Sequence, residues 1–206
     1  MNTIRILIAD DHTIVRIGLK ALLESETDIK VIAEAEDGED AVRKSAKLHP
    51  DVAIIDLVMP KIDGVEATRE ICSLLPDTKV LILTTFGTSD GIAHALEAGA
   101  RGALMKTTDD ATIVTAIRAI AQGKRFVSME VQRQLMIDPP TEQFSQRQSE
   151  IMQSITKGLS NKEIASNLGI RIDSVEEHVK AVLRKLGAAN RAEAVAIALR
   201  KHLLKI

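Results

Sequence analysis

The sequence has no tryptophan or tyrosine, and its aromatic residues are Phe86, Phe126 and Phe144. Recognition of single-stranded nucleic acid by base stacking needs aromatic platforms, so we do not expect it here. The single cysteine, Cys72, cannot form a disulfide within the chain. No apolar run approaches the length of a membrane span, and the run at residues 6–9 is too short for a signal peptide. We therefore expect a cytoplasmic protein without membrane contact.

Acidic and basic residues are unevenly divided along the chain of 206 residues, although its net charge is only -2. Residues 141–206 contain eleven Lys or Arg and seven Asp or Glu, which leaves sixteen and twenty-two for residues 1–140. An acidic part joined to a basic part indicates that the C-terminal part meets a polyanion. A merely solvated surface would also account for a difference of this size.

The most informative single residue is Asp56, which follows the apolar run at residues 52–55. That run predicts a buried central strand, and burying an unpaired carboxylate is costly. Open α/β sheets bind their ligands at the carboxyl ends of strands, so Asp56 is a candidate functional residue. A carboxylate that only closes a turn or caps a helix is the alternative.

Five apolar runs, at residues 4–9, 29–33, 52–55, 80–84 and 102–106, alternate with segments of helical spacing. This alternation predicts a five-stranded parallel sheet covered by helices on both faces. The carboxyl ends of the strands then meet at one edge. We expect that edge to gather Asp10, Asp11, Asp56, Thr84 and Lys106.

This set of side chains predicts phosphoryl chemistry. Three carboxylates in one pocket repel one another unless a cation joins them, and their hard oxygen atoms suit Mg²⁺. Asp56 can act as a nucleophile and form an acyl phosphate. Thr84 can donate a hydrogen bond to a phosphoryl oxygen, and Lys106 can pair with another as a point charge.

The order of these residues, with Met59-Pro60 and Asp63-Gly64 trailing Asp56, resembles the receiver domain of bacterial two-component response regulators over residues 4–122. The resemblance implies a flavodoxin-like fold with strand order 2-1-3-4-5. It also implies that Asp56 accepts a phosphoryl group from a sensor histidine kinase. The implied Mg²⁺ ligands are Asp11, Asp56 and the backbone carbonyl of Val58, with Asp10 acting mainly through water.

Two residues depart from the receiver pattern. Receivers usually have Tyr or Phe three residues before the lysine, where this chain has Ala103, and many have proline after it, where this chain has Thr107. The resemblance implies that Thr84 moves toward the phosphoryl group and draws the following loop with it. That step does not require the missing aromatic side chain.

Pro139 and Pro140 mark a break in the chain, because prolines end helices and stiffen the segment that contains them. We predict a receiver domain at residues 1–122, a linker at 123–142 and a second domain at 143–206. One short helix at residues 131–136 is predicted within the linker.

The second domain is predicted to be a small all-α domain of four helices. Ser145 with Gln148, and Ser160 with Glu163, have the spacing of capping boxes. The second of these helices is short, and a tight turn joins it to a longer third helix. This arrangement is typical of a helix-turn-helix. A small helical bundle for protein contacts is the alternative.

The stretch at residues 158–165, together with Val175, His178, Lys185-Leu186 and residues 192–195, resembles the LuxR/NarL-type DNA-binding domain over residues 144–203. The resemblance implies a recognition helix at residues 173–186 and a homodimer that reads a two-fold site in double-stranded DNA. The last helix would form the dimer contact through Val195 and Leu199.

Our candidates for DNA contact on the predicted recognition helix are Ser174, Glu177, His178, Lys180, Arg184 and Lys185. His178 has an equally good alternative as a half-buried packing residue. Glu176 and Glu177 together depart from the family pattern and repel phosphate, although glutamate can accept a hydrogen bond from cytosine. We therefore expect weaker non-specific binding than is usual for such domains, and the sequence leaves the specificity open.

These observations favour a transcription regulator that is switched by phosphorylation of Asp56 and is not a turnover enzyme. The first alternative is a regulator whose output is a protein contact, which the pair of glutamates suggests. The second is a phosphatase of the haloacid-dehalogenase type, but such an enzyme needs an aspartate where this chain has Val58.

Overall fold

The computed structural model describes residues 3–85, 89–142, 144–201 and 203. The chain forms two compact units, residues 1–139 and residues 140–206. Within the described residues, no helix combines the length and the apolarity needed to cross a membrane.

The first unit is built on a parallel sheet of six strands in the order β2-β1-β3-β4-β5-β6. All four residues of β3 and of β5 are buried, as expected for strands covered on both faces. The strands are β1 (Ile4–Ala9), β2 (Ile29–Ala35), β3 (Val52–Ile55), β4 (Lys79–Thr84), β5 (Gly102–Met105) and β6 (Phe126–Val127).

Among the described residues of the same unit there are six helices: α1 (Thr13–Glu24), α2 (Gly38–Leu48), α3 (Gly64–Leu74), α4 (Ser89–Glu97), α5 (Asp110–Ala121) and α6 (Met129–Ile137). Aspartate side chains cap α2, α3 and α5 by accepting a hydrogen bond from a first-turn amide. Because side chains alternate along a strand, the sheet has two separate apolar faces. Ile71 of α3 and Ile92 of α4 belong to one core, and Leu23 of α1 and Ile117 of α5 belong to the other.

The predicted strand order 2-1-3-4-5 is confirmed, and the structure adds β6 at the edge beside β5. The segment predicted as a linker, residues 123–142, therefore contains both β6 and α6. The Ser128 amide donates to the Ala103 carbonyl, and Val131 of α6 is fully buried in the core that contains Ala103. A strand of two residues is too short to produce a period in the sequence, so only pairing with β5 identifies it.

The second unit contains four helices: α7 (Gln146–Thr156), α8 (Asn161–Leu168), α9 (Ile172–Leu186) and α10 (Arg191–Arg200). Both predicted capping boxes are present, Ser145 with Gln148 and Ser160 with Glu163. Gly169 ends α8 at a φ of 64°, a left-handed conformation that glycine adopts without steric cost. The buried faces of the helices enclose one apolar core, whose members include Ile151, Ile164, Val175, Val182 and Ala198.

Candidate functional site

Two buried carboxylates lie side by side at the carboxyl edge of the sheet in the first unit. Asp10 follows β1 and Asp56 follows β3, and these neighbouring strands end in register at Ala9 and Ile55. The Asp56 amide donates to the Ala9 carbonyl at 2.9 Å, which places the two carboxylates on the same edge. Only 3% of each side chain is exposed.

Lys106 joins these two carboxylates. It follows β5, and its Nζ lies 2.6 Å from Asp10 Oδ2 and 2.8 Å from Asp56 Oδ2, with 8% of the side chain exposed. Burial by itself lowers the pKa of Lys106, but its bonds to the two carboxylates outweigh burial and raise that pKa. The ammonium group therefore stays charged.

The charge of Asp56 is only partly compensated. Burial raises the pKa of its carboxyl group, and the hydrogen bond and charge of Lys106 oppose that rise without cancelling it. Oδ1 accepts a hydrogen bond from the Leu57 amide at 2.8 Å. The carboxylate is consequently a buried anion that gains from any further cation or hydrogen-bond donor.

Asp11 and His12 complete the cluster on its solvent side. One ligand atom from each of Asp10, Asp11, His12 and Asp56 lies within 4.8 Å of the others. His12 Nδ1 is 2.6 Å from Asp11 Oδ1, and the His12 amide donates to Asp10 Oδ1 at 2.9 Å. His12 was not among the site residues predicted from the sequence, although its place directly after the acid pair is a usable signal.

Of two further predicted site residues, Thr84 is buried and Val58 is exposed. Thr84 is buried at the end of β4, and its Oγ1 has no hydrogen-bond partner among the described residues. Its carbonyl accepts from the Lys106 amide at 2.7 Å, so β4 and β5 end together. Val58 is exposed in the loop between β3 and α3. The loop predicted to follow Thr84 includes residues 86–88, which lie outside the described residues.

The predicted DNA-contacting residues divide between two faces of α9. Glu177, Lys180 and Arg184 are exposed on one face, together with Glu176. Ser174, His178 and Lys185 are half-buried on another face.

Lys185 has the least accessible side chain of the predicted basic contacts. Only 15% of that side chain is exposed, and its Nζ lies 3.7 Å from Glu142 Oε2. The sequence placed Lys180, Arg184 and Lys185 together among the candidate DNA contacts. The structure separates Lys185 from the other two, because its position on α9 turns it toward the segment that precedes α7.

The two predicted dimer residues of α10 also differ. Leu199 is 41% exposed, whereas Val195 is half-buried and packs against the core of the second unit. Ala194 and Ala198 form the fully buried face of the helix. Leu199 is therefore the more available of the two for a contact with another chain.

The chemistry available at the sheet edge is that of a phosphoryl acceptor. A buried carboxylate is aligned by a lysine and a backbone amide, and neighbouring acids supply oxygen ligands of the kind that receiver domains use for Mg²⁺.

Comparison with known proteins agrees with both units. The family model described as the response regulator receiver domain matches residues 6–118, and the model described as bacterial regulatory proteins of the luxR family matches residues 142–198.

Several relatives are similar over nearly their whole length. The transcriptional regulatory protein LiaR of Bacillus subtilis is 41% identical over 209 aligned positions, which cover 98% of this chain and 99% of LiaR. The response regulator protein VraR of Staphylococcus aureus is 38% identical, with 98% and 100% covered. A solved structure of two RcsB dimers bound to two parallel DNAs is 27% identical, with a TM-score of 0.68 and 97% and 99% covered.

Family membership decides between the alternatives raised by the sequence. It favours DNA binding over a pure protein-contact output, and phosphoryl acceptance over phosphatase turnover. The chain belongs to the DNA-binding two-component response regulators that join a receiver domain to a LuxR-type helix-turn-helix domain.

Proposed function

We propose that Asp56 is the phosphoacceptor and that a sensor histidine kinase is the donor. A carboxylate oxygen of Asp56 attacks the phosphorus of a phosphohistidine, a P–O bond forms, and the N–P bond to the kinase histidine breaks. The observation that carries this proposal is the direct pairing of Lys106 with Asp56 at 2.8 Å in a buried site. The lysine orients the nucleophile and pairs with the phosphoryl oxygen as charge builds there.

The residues proposed to hold Mg²⁺ are Asp11, Asp56 and the Val58 carbonyl, with Asp10 acting through water. When bound, the ion neutralises negative charge on the phosphoryl group. The donor set fits, because carboxylate oxygens within 4.8 Å of one another suit a hard cation. Thr84 has a buried hydroxyl without a described partner, which is available to donate to a phosphoryl oxygen.

The output that we propose is binding of double-stranded DNA by a phosphorylated homodimer. The exposed face of α9 with Lys180 and Arg184 would meet the DNA, and Ser174, Glu177, His178 and Lys185 complete the candidate set. The dimer would form through α10, with Leu199 and Val195 as contacts. Support comes from family membership and from the relative RcsB, which was solved as dimers bound to DNA.

The proposed division of labour places phosphoryl acceptance in residues 1–122 and DNA binding in residues 143–206. Residues 123–142 join the two parts, although β6 and α6 belong to the compact unit that contains the sheet. A cytoplasmic location is proposed on the ground of family membership.

The first test is phosphoryl uptake from a small donor such as acetyl phosphate, measured by mass spectrometry with Mg²⁺ present. Wild-type protein should gain one phosphoryl group, and Asp56→Asn should gain none. Uptake by Asp56→Asn at the wild-type level would refute the assignment.

The second test couples the site to its output. Purified protein with Mg²⁺ captures sheared genomic DNA, with and without beryllofluoride as the phosphoryl mimic, and the retained DNA is sequenced. Discrete sites enriched only with the mimic would support the proposed switch. Equal enrichment in both samples would mean that Asp56 does not control DNA binding.

A further inference from the structure

The loop at residues 57–63, between β3 and α3, carries Val58, whose carbonyl is a proposed metal ligand. Within this loop Lys61 has a φ of 66°. That left-handed conformation is costly for a residue with a Cβ atom, and lysine has no side-chain feature that favours it. An interaction of the Lys61 side chain with another part of the chain would offset this cost.

Asp37 supplies that interaction from the N-terminus of α2. Its side chain is only 5% exposed, and its Oδ2 lies 2.7 Å from Lys61 Nζ. Its Oδ1 accepts a hydrogen bond from the Asp40 amide at 2.8 Å, which fixes the carboxylate on the helix cap. The pKa of Asp37 is lowered, first by its hydrogen bond with Lys61 and then by the Asp40 amide.

The backbone of the loop also lies directly against the first turn of α2. A Cβ atom added to Gly38 would stand 2.3 Å from the Ile62 carbonyl oxygen. Glycine at this position lets the loop approach closely enough for Lys61 to reach Asp37. The two contacts together join the loop to a helix that carries none of the proposed site residues.

We propose that the ion pair between Asp37 and Lys61 is a positioning device that holds the Val58 carbonyl in place for the metal ion. Asp37 and Lys61 contact neither the ion nor the phosphoryl group in this assignment. The inference rests on the proposed function, because it assumes that the Val58 carbonyl is a ligand.

Substitution of Lys61 separates positioning from simple charge. Removing a positive charge near an acidic site should strengthen cation binding if long-range electrostatics dominate. A positioning role predicts the opposite, because the loop is released from its left-handed conformation. Lys61→Met distinguishes these two expectations directly. Lys61→Gly introduces a residue that adopts the left-handed conformation without the ion pair to Asp37.

The experiment measures Mg²⁺ affinity by isothermal titration calorimetry of the full chain. Asp37→Asn keeps the helix cap but loses the charge. We expect Asp37→Asn and Lys61→Met each to raise the Kd about 3- to 10-fold, somewhat below the usual effect of a group that bonds a metal ligand directly. Lys61→Gly should stay within roughly twofold of wild type, and adding Asp37→Asn to it should change little, since the pair is already gone.

Arg69→Met is the matched control. Arg69 pairs with Glu66 on the exposed surface of α3, so the substitution also removes one positive charge but leaves the loop untouched. Its Kd should equal that of wild type. Thermal unfolding, monitored by circular dichroism, checks that each variant is folded at the titration temperature.

Unchanged or tighter Mg²⁺ binding by Lys61→Met would overturn the positioning role, and so would a Lys61→Gly variant as weak as Lys61→Met. These results are distinct from failure of the proposed function. If the wild-type protein itself binds no Mg²⁺, the metal assignment fails before the ion pair is tested.

Discussion

The buried charge of Asp56 leads to a prediction about stability that is independent of phosphorylation. In the absence of Mg²⁺, Asp56→Asn should make the first unit more stable than the wild-type protein. Burial raises the pKa of Asp56, and Lys106 offsets only part of that rise. A neutral side chain of the same shape removes the cost of the buried charge and keeps the Leu57 amide bond.

The size of the effect follows from the hydrogen bonds of the carboxylate. Among the described residues two donors serve it, the Leu57 amide and Lys106 Nζ, whereas an ionised carboxylate has about four acceptor positions. An unsatisfied buried polar group costs about 1–3 kcal/mol. Part of this gain is lost because Asn pairs less well with Lys106. We expect a net increase in the free energy of unfolding of about 1–2 kcal/mol, or about 3–8 °C in Tm.

The effect should depend on pH with a definite sign. The pKa of Asp56 is higher in the folded protein than in the unfolded chain, so its contribution favours folding at low pH and is lost as the pH rises through the folded-state value. Asparagine does not titrate. The advantage of Asp56→Asn should therefore be complete above the folded-state pKa of Asp56 and shrink as the pH falls toward about 3.9, the value of an unperturbed aspartate.

Scanning calorimetry of the full chain with EDTA, at several pH values, measures these differences. Amide exchange of the β3 and β4 backbone assigns the transition to the first unit. Adding Mg²⁺ should stabilise the wild-type protein much more than Asp56→Asn, because the variant lacks a proposed ligand. A variant that is less stable than wild type at about pH 8 without Mg²⁺ would refute the reasoning.

Three further predictions concern packing, capping and DNA binding. Gly64→Ala should lower the free energy of unfolding by about 3 kcal/mol or more in urea titrations, since its Cβ would lie 2.0 Å from a backbone oxygen of the site. Gly18→Ala, with nothing within 4 Å, is its control and should stabilise by about 0.5–1 kcal/mol. Ser160→Ala should cost the second unit about 1 kcal/mol by calorimetry, and an unchanged melting temperature would deny the cap a role. Lys180→Ala and Arg184→Ala should each reduce the slope of log affinity against log salt by about 0.9, measured by fluorescence anisotropy. An unchanged slope would exclude their contact with phosphate.

Local sequence patterns predict much of the fold. Apolar runs predicted β1, β3 and β4, and helical spacing predicted the helices between them. Both patterns involve only residues that are close together in the sequence. Capping boxes at Ser145 and Ser160 are equally local, and both are present. The parallel alternation then dictates that strand ends meet at one edge, which is why the sequence alone groups Asp10, Asp56 and Lys106.

Other features depend on contacts between distant segments. Val127 forms part of a strand only because β5 offers it a partner, and Val131 is buried only because α6 packs onto the core that also contains Ala103. Lys61 adopts its left-handed conformation next to Asp37, which lies more than twenty residues away in sequence. No local period carries this information.

The sequence by itself determined the order of elements, the acidic edge of the sheet and the helix-turn-helix, because periodicity, caps and strand ends are local properties. Only the tertiary structure decided that Lys106 bridges two buried aspartates, that His12 joins the acid cluster, and that Lys185 and Val195 are less accessible than Arg184 and Leu199. Burial and pairing depend on which atoms from distant parts of the chain lie next to a side chain. The type of the residue alone does not determine those neighbours.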